Sequence, residues 1–198
     1  VKADGYGHGA ETVAKAAIKG GANQLGVATL QEGIELREAG IESPILVLGN
    51  LIDLEELKEC LNWKLMPTIS NAREADICNE IAKIKNEIFP IHIKFDTGMS
   101  RLGCSIKEAP KLINLVNNFS NLCLKGLYSH LALADEEEDN NNFTNKQKEI
   151  FEKLILSITQ NRIYFHLANS AGTLINKEMH YDMVRVGLAI YGYNPLKD

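Results

Sequence analysis

Short, nearly continuous apolar runs alternate along this chain with longer segments whose apolar residues recur at helical spacing. After an opening VKA, a helix is expected over 11–20 and a strand over 24–28. A helix over 29–40 carries Leu30, Ile34 and Leu36 on helical spacing and stops at Gly40. Strand 44–49 precedes helix 53–61, for which Asp53 is the expected N-cap. Strand 64–70, helix 72–86, strand 89–96, helix 107–119, strand 121–130, helix 144–161 and strand 163–170 follow. A short helix near 170–176 and a strand over 183–192 complete eight strands and seven helices in alternation. Runs such as Ile45 to Leu48, apolar at every position, suit parallel strands covered on both faces. The expected fold is therefore α/β, a (β/α)8 TIM-like barrel over residues 1–198, with a doubly wound open sheet as the alternative.

Composition narrows the function. A chain of 198 residues, 45% hydrophobic, can bury one sizeable core. A net charge of −5 without a basic cluster argues against nucleic acid as the main partner. No apolar run has the length of a membrane helix, so no membrane partner is expected. Cys60, Cys78, Cys104 and Cys123 are far apart and form no CxxC, which reads as reduced, mostly buried thiols of a cytoplasmic protein rather than disulfides or a zinc site. The five histidines include no HExxH, and no metal is expected. Asp135 to Asp139 with Asn140 to Asn142 reads as a solvated loop. The abrupt Val1 suggests a first strand cut just before Lys2, and hence a fragment.

In such a barrel the chemistry sits at the C-terminal strand ends. Polar residues collect there: Lys2, then Lys94 and Asp96, His130, His166 with Asn169 and Ser170, and Arg185 before Gly187. A histidine in a strand is often a satisfied core group, and either lysine can reach solvent along its stem. A buried lysine, by contrast, is disfavoured as a cation, and its neutral amine can attack a carbonyl. The glycines around Tyr6 and His8 suggest a backbone bent tightly or brought close to a ligand, without the Gly-Lys-Ser/Thr of a P-loop.

Five segments, VKADGYGHG (1–9), KFDTGMSRLG (94–103), YSHLALAD (128–135), FHLANSAG (165–172) and VRVGLAIYG (184–192), resemble the motif series of alanine racemase, in that family's order. The resemblance implies a pyridoxal 5'-phosphate (PLP) enzyme. Its N-terminal barrel is followed by a β-rich domain, and it works as a head-to-tail homodimer that supplies D-alanine for peptidoglycan. It implies that Lys2 carries the PLP aldehyde and acts as one of two bases. Tyr6, Ser170 and the backbone of Gly187 and Leu188 would hold the phosphate, with Leu48 near the cofactor. Arg185 would face the pyridine nitrogen, steadied by His166 beside Asn169, and would keep that nitrogen unprotonated, so that the substrate carbanion is short-lived. His130 would polarise the second base. Arg101 would donate to the phenolic oxygen and the substrate carboxylate, held by Lys94 as a carbamyl-lysine. The second base would be a tyrosine from the partner's C-terminal domain, beyond these residues, leaving residues 1–198 alone inactive. A diamino-acid decarboxylase, a non-catalytic PLP carrier and a racemase acting on serine, lysine or a broader range share parts of this pattern. Arg185 in place of an acid, and the lack of a glycine triplet, set the decarboxylase apart.

Overall fold

Several helices open where a side chain satisfies the first amides and close where the backbone turns left-handed. The computed structural model describes residues 1–136, 143–158 and 162–196. Thr29 Oγ1 accepts from Glu32 N while Glu32 reaches back to Thr29 N, a capping box that starts α3 (Leu30–Glu38). Gly40 at φ +80° ends it, with Ile41 N bonded to Leu36 O and both side chains buried. Asp53 caps α4 (Leu54–Asn62), as its sequence position suggests, and Asn71 caps α5 (Ala72–Lys85).

Two compact units divide the chain. The first comprises Val1–His92 and Asn114–Leu124. It holds α2 (Ala10–Lys19), β1 (Leu25–Val27), α3, β2 (Ile45–Asn50), α4, β3 (Met66–Ile69), α5 and the first half of β4 (Phe89–Asp96). Its strands run in the order β1-β2-β3-β4. β1 and β2 pair in parallel, Leu25 with Ile45 and Val27 with Val47, and β2 pairs in parallel with β3 from Leu46 and Met66. Ile45, Leu46, Val47, Leu57, Leu61, Leu65 and Ile69 form its core.

The second unit comprises Ile93–Ile113 and Lys125–Asp198. It takes the second half of β4, then β5 (Cys104–Ser105), most of β6 (Leu122–Tyr128), α7 (Asn145–Ile155), β7 (Tyr164–His166) and α8 (Ser170–Ile175). α6 (Ala109–Asn118) spans both units. The strand order here is β4-β6-β7, with β5 on β4. β6 and β7 are parallel, Tyr128 opposite His166, and β5 joins β4 at Phe95 and Cys104. Phe95, Leu127, Tyr128, Phe151, Leu167 and Ala168 are buried at its centre. Parallel strands with helical crossovers establish the α/β class.

Two expected strands are absent. The opening VKA forms a left-handed turn, α1 (Lys2–Gly7), with Ala3, Asp4, Gly5 and Tyr6 all near φ +50° to +60°. Only Val1 keeps a strand-like bond, donating to Gly26 O at 2.9 Å. Residues 183–192 are not a strand either: Arg185 N donates to Ala168 O, but Gly187 turns the chain into a 3-10 helix over Leu188–Tyr191. Strand 163–170 is shorter than expected, because Asn169 caps α8 and Ser170 already belongs to it. The short β5 was not expected. Asp135 and Glu136 precede the rest of the acidic run, which lies outside the described residues, as does the end of the expected helix 144–161. Cys60, Cys78 and Cys104 are buried free thiols and Cys123 is half-buried. Among the described residues, no helix is long and apolar enough to cross a membrane, and no cluster of three or more His, Cys, Asp or Glu could hold a metal ion.

Candidate active site

In the second unit the site is organised around Arg185. The turn after Asp182, whose carboxylate accepts from Phe165 N, brings the arginine back along β7. Its Nη1 lies 2.8 Å from His166 Nδ1 and 3.0 Å from His166 O. Its Nη2 donates to Ser129 O at 2.6 Å and Leu167 O at 3.1 Å, with His130 Nδ1 at 3.4 Å. All five acceptors are neutral, so no carboxylate in this set offsets the cation. Burial lowers its pKa to about 10, against a smaller opposing effect from Tyr128. That is far enough above neutrality for the guanidinium to stay charged. An arginine that donates to His166 Nδ1 makes that nitrogen an acceptor, which puts the proton of a neutral imidazole on Nε2.

Tyr128, at the end of β6, is the packing centre that sequence reasoning did not single out. His166 stacks on its ring at 4.6 Å, the Arg185 guanidinium lies 5.0 Å from the ring centroid and Lys94 Nζ 5.6 Å. An aromatic face attracts both cations. Lys94 is buried on β4, and its pKa falls to about 8. Desolvation is the largest cause, followed by the positive charges of Arg101 and Arg185, with Asp96 opposing. Arg101 itself is exposed on the loop from Thr97 to Gly103, which begins where Asp96 Oδ1 accepts from Gly98 N and Ser100 N.

A buried polar network behind these residues was also missed. Gln147 on α7 donates to Thr97 Oγ1 and His130 O and accepts from Ala132 N. Ser129 Oγ, 2.8 Å from Thr97 Oγ1, donates to Phe95 O. The available signal was Gln147 itself, a polar residue on the helical spacing of Phe151 and Leu154 that is fully buried.

Ser170 opens a second feature. Its buried hydroxyl accepts from Gly187 N at 2.9 Å and Ala189 N at 3.3 Å, which leaves its own proton to donate. Asn169 caps α8 through Gly172 N and donates to Leu131 O, so its role here is structural. Leu188 begins the 3-10 helix beside Gly187.

The first unit holds Lys2, Tyr6 and Leu48. Of the two readings of Lys2, buried at a strand end or reaching solvent, the structure has the second. Lys2 is exposed on α1, with Nζ 5.4 Å from the Tyr6 ring centroid, because the left-handed turn directs the chain away from a sheet path. Each non-glycine residue in that conformation costs roughly 1–2 kcal/mol. Side chains compensate: Asp4 Oδ1 accepts from Ala10 N, His8 Nδ1 lies at hydrogen-bond distance from Gly5 O and Tyr6 O, and Glu32 Oε1 accepts from Ala3 N. Leu48 lies half-buried on β2, against Gly26.

The family model described as "Alanine racemase, N-terminal domain" matches residues 1–195. An alanine racemase of Prochlorococcus marinus is 63% identical over 202 residues, covering 100% of this chain and 52% of that protein. One from Synechocystis is 48% identical over 198 residues, covering 98% and 53%. Among solved structures, alanine racemase of Clostridium difficile 630 superposes with a TM-score of 0.93 at 36% identity, covering all of this chain and 52% of that one. The Bacillus anthracis enzyme with bound L-Ala-P gives 0.88 at 33% identity, covering 98% and 50%. This likeness bears out the α/β barrel class. The chain spans about half the length of these relatives.

Proposed function

The chain belongs to the family of the alanine racemase N-terminal domain, and on that footing we propose that residues 1–198 form the PLP-binding part of an enzyme interconverting L- and D-alanine. The observation that carries this reading is the Arg185 guanidinium, anchored by neutral acceptors alone. Such a fixed cation suits an unprotonated aromatic nitrogen as its further partner. The Ser170 hydroxyl accepts from Gly187 N and Ala189 N and so keeps its own proton to donate, which suits a phosphate dianion; Gly187 and Leu188 would offer their backbone to it once the Gly187 amide turns from Ser170. These residues fit PLP.

When bound, PLP would supply an electron sink for the substrate carbanion. The chain's own groups would bind and orient cofactor and substrate and serve one face of the substrate Cα. Lys2 would hold the aldehyde carbon covalently and carry the proton on one face of the substrate Cα. Tyr6 and Ser170 would bind the phosphate, with Leu48 packing near the ring. Arg101 would orient the substrate carboxylate. His166 would fix Arg185, and Asn169 would shape the turn into Ser170. His130 would stand behind the group that serves the opposite face, a tyrosine from the partner in a homodimer. The exposed Lys2 amine suits capture of an aldehyde from solution.

Lys94 fits a further role. At a pKa of about 8, roughly one amine in ten is neutral at pH 7, against fewer than about one in a thousand for an ordinary lysine. A neutral amine adds to carbon dioxide, forming an N–C bond and releasing one proton, and the resulting anion would be stabilised by Arg101 and Arg185. Lys94 as a carbamate would then hold Arg101 in place. Buried free thiols are compatible with work in the cytoplasm.

Borohydride treatment of the full-length protein with PLP tests the reading. The expected result is one reduced adduct, mapped to the peptide containing Lys2, and loss of alanine racemisation in step with it. An adduct mapped elsewhere, with activity retained, overturns the assignment.

A further inference from the structure

We infer that Glu32 is a positioning residue for Lys2: one carboxylate clamps the left-handed turn that carries the lysine to the end of β1 and the start of α3. This rests on the assignment of Lys2 as the PLP-bearing residue. Glu32 Oε2 accepts from Ala28 N at 2.6 Å and Thr29 N at 3.2 Å, and the other oxygen accepts from Ala3 N at 2.7 Å. The first oxygen does ordinary work, because it closes the capping box of α3 and the amide just past β1. The second reaches across twenty-nine residues to the amide immediately after Lys2. The Val1 ammonium, immediately before Lys2, donates to Gly26 O within β1, as a peptide N–H at the same place can. The lysine backbone is thus fixed on both sides to one strand and the loop that leaves it.

The turn needs such a tie. Ala3, Asp4 and Tyr6 carry side chains in a conformation that favours glycine, and Asp4 and His8 brace only its later part, toward Ala10. Nothing in a capping box requires the second oxygen to face Ala3, since glutamine also closes such a box. Without the carboxylate, the Ala3 amide loses its tie to α3, and the turn across Lys2 is left to its own backbone bond from Gly5 N to Val1 O.

Glu32→Gln separates the two functions. The glutamine oxygen keeps the bonds to Ala28 and Thr29, while its NH2 group faces the Ala3 amide, donor against donor. Thr29→Ala is the complement: it weakens the α3 cap but leaves both Glu32 oxygens in place. Both variants are made in the full-length protein, with amide exchange as the first readout. In Glu32→Gln, Ala3 is expected to exchange about tenfold faster or more, with the core amides of β2 unchanged. Thr29→Ala is expected to leave Ala3 as protected as in wild type.

The second readout is the rate of borohydride-trapped PLP attachment at Lys2 together with kcat and KM. Glu32→Gln should lower attachment rate and kcat about tenfold to a hundredfold, with KM nearly unchanged. Equal losses in Thr29→Ala would mean that α3 stability alone is responsible and would overturn the inference. So would unchanged Ala3 exchange in Glu32→Gln. A wild-type protein that forms no adduct at Lys2 overturns the functional reading instead, and the exchange comparison still decides whether Glu32 holds the turn.

Discussion

Arg185 Nη1 sits 2.8 Å from His166 Nδ1, and the same arginine holds the backbone oxygens of Ser129, His166 and Leu167. One side chain therefore ties together the ends of β6 and β7 and presents a permanent positive charge there. The histidine stacks on Tyr128, so the guanidinium is located by a rigid aromatic pair rather than by an opposite charge. Pairing with a carboxylate would have neutralised the cation; carbonyls and a neutral imidazole position it and leave its charge available.

Replacing Arg185 with Glu should therefore have two separable effects. The buried carbonyls of Ser129 and Leu167 lose their donor, and stability should fall by about 2–4 kcal/mol, read from urea denaturation. A glutamate can also share a proton with the cofactor's ring nitrogen, which strengthens the electron sink. Transfer of the amino group from alanine to the cofactor aldehyde, which releases pyruvate, should then rise relative to racemisation. An unchanged ratio in folded protein means that Arg185 does not face the ring.

Lys94 gives a pH signature. The unfolded chain keeps this amine protonated up to about 10.5, the folded chain only up to about 8. Between those values the unfolded state binds more protons, so this group makes folding stability rise with pH across that window. Below about 8 both states are protonated and the cost of burying the cation is fully present. In protein freed of carbon dioxide, so that Lys94 is a free amine, Lys94→Met should flatten the slope of stability against pH between 8 and 10.5 while leaving it unchanged at lower pH. Bicarbonate labelled with carbon-13 should give a carbamate NMR signal in the wild type that Lys94→Met lacks.

Most strands and helices could be read from the alternation of apolar runs, because parallel strands covered on both faces and amphipathic helices leave distinct periods. β2 begins and ends within a residue of the expected 44–49, and β4 matches 89–96. The failures have physical causes. Ala3 and Tyr6 have no intrinsic preference for left-handed backbone and Asp4 only a modest one, so the turn at Lys2 follows from bonds made by Asp4, His8 and the distant Glu32. In 183–192 the apolar residues suit a strand, yet Ser170 Oγ takes the amides of Gly187 and Ala189 and bends the chain. Polar residues at strand ends were visible as a set, and Arg185 with His166 and His130 does converge. The supports Gln147, Ser129 and Thr97 were not visible, because a hydrogen-bond partner many residues away leaves no periodic trace. Glu32 did leave one: Thr29 followed three residues later by Glu is the sequence form of a capping box.

Gln147 should prove costly to replace. Gln147→Leu keeps roughly the same volume but takes the Gln147 amide away from Ala132 N and His130 O in a buried setting. A loss of about 2–3 kcal/mol is expected in urea denaturation. Gln147→Glu can still accept from Ala132 N but cannot donate to His130 O or Thr97 Oγ1, and should be less stable than wild type at neutral pH and recover part of the deficit in acid, where a protonated carboxyl can donate one bond.

Two glycines separate a clash with backbone from a clash with a side chain. A Cβ on Gly103 would lie 2.7 Å from Phe95 C and 2.8 Å from Asp96 N, and the residue has φ +121°. Neither β4 nor the paired Cys104 can withdraw without breaking the β4–β5 ladder. A Cβ on Gly33 would meet Leu65 Cδ1 at 2.8 Å, the tip of a side chain that can turn, and alanine favours the interior of α3 by about 1 kcal/mol over glycine. Gly103→Ala should therefore cost at least about 2 kcal/mol, combining overpacking with backbone strain. Gly33→Ala should stay within about 1 kcal/mol of wild type, because the helical gain offsets the repacking of Leu65. Gly103 also closes the loop that carries Arg101, so its alanine variant should raise KM for alanine under conditions where the protein remains folded, whereas Gly33→Ala should not. Urea denaturation and steady-state kinetics on both variants check the pair, and equal stability losses would show that Leu65 is as immovable as the β4 backbone.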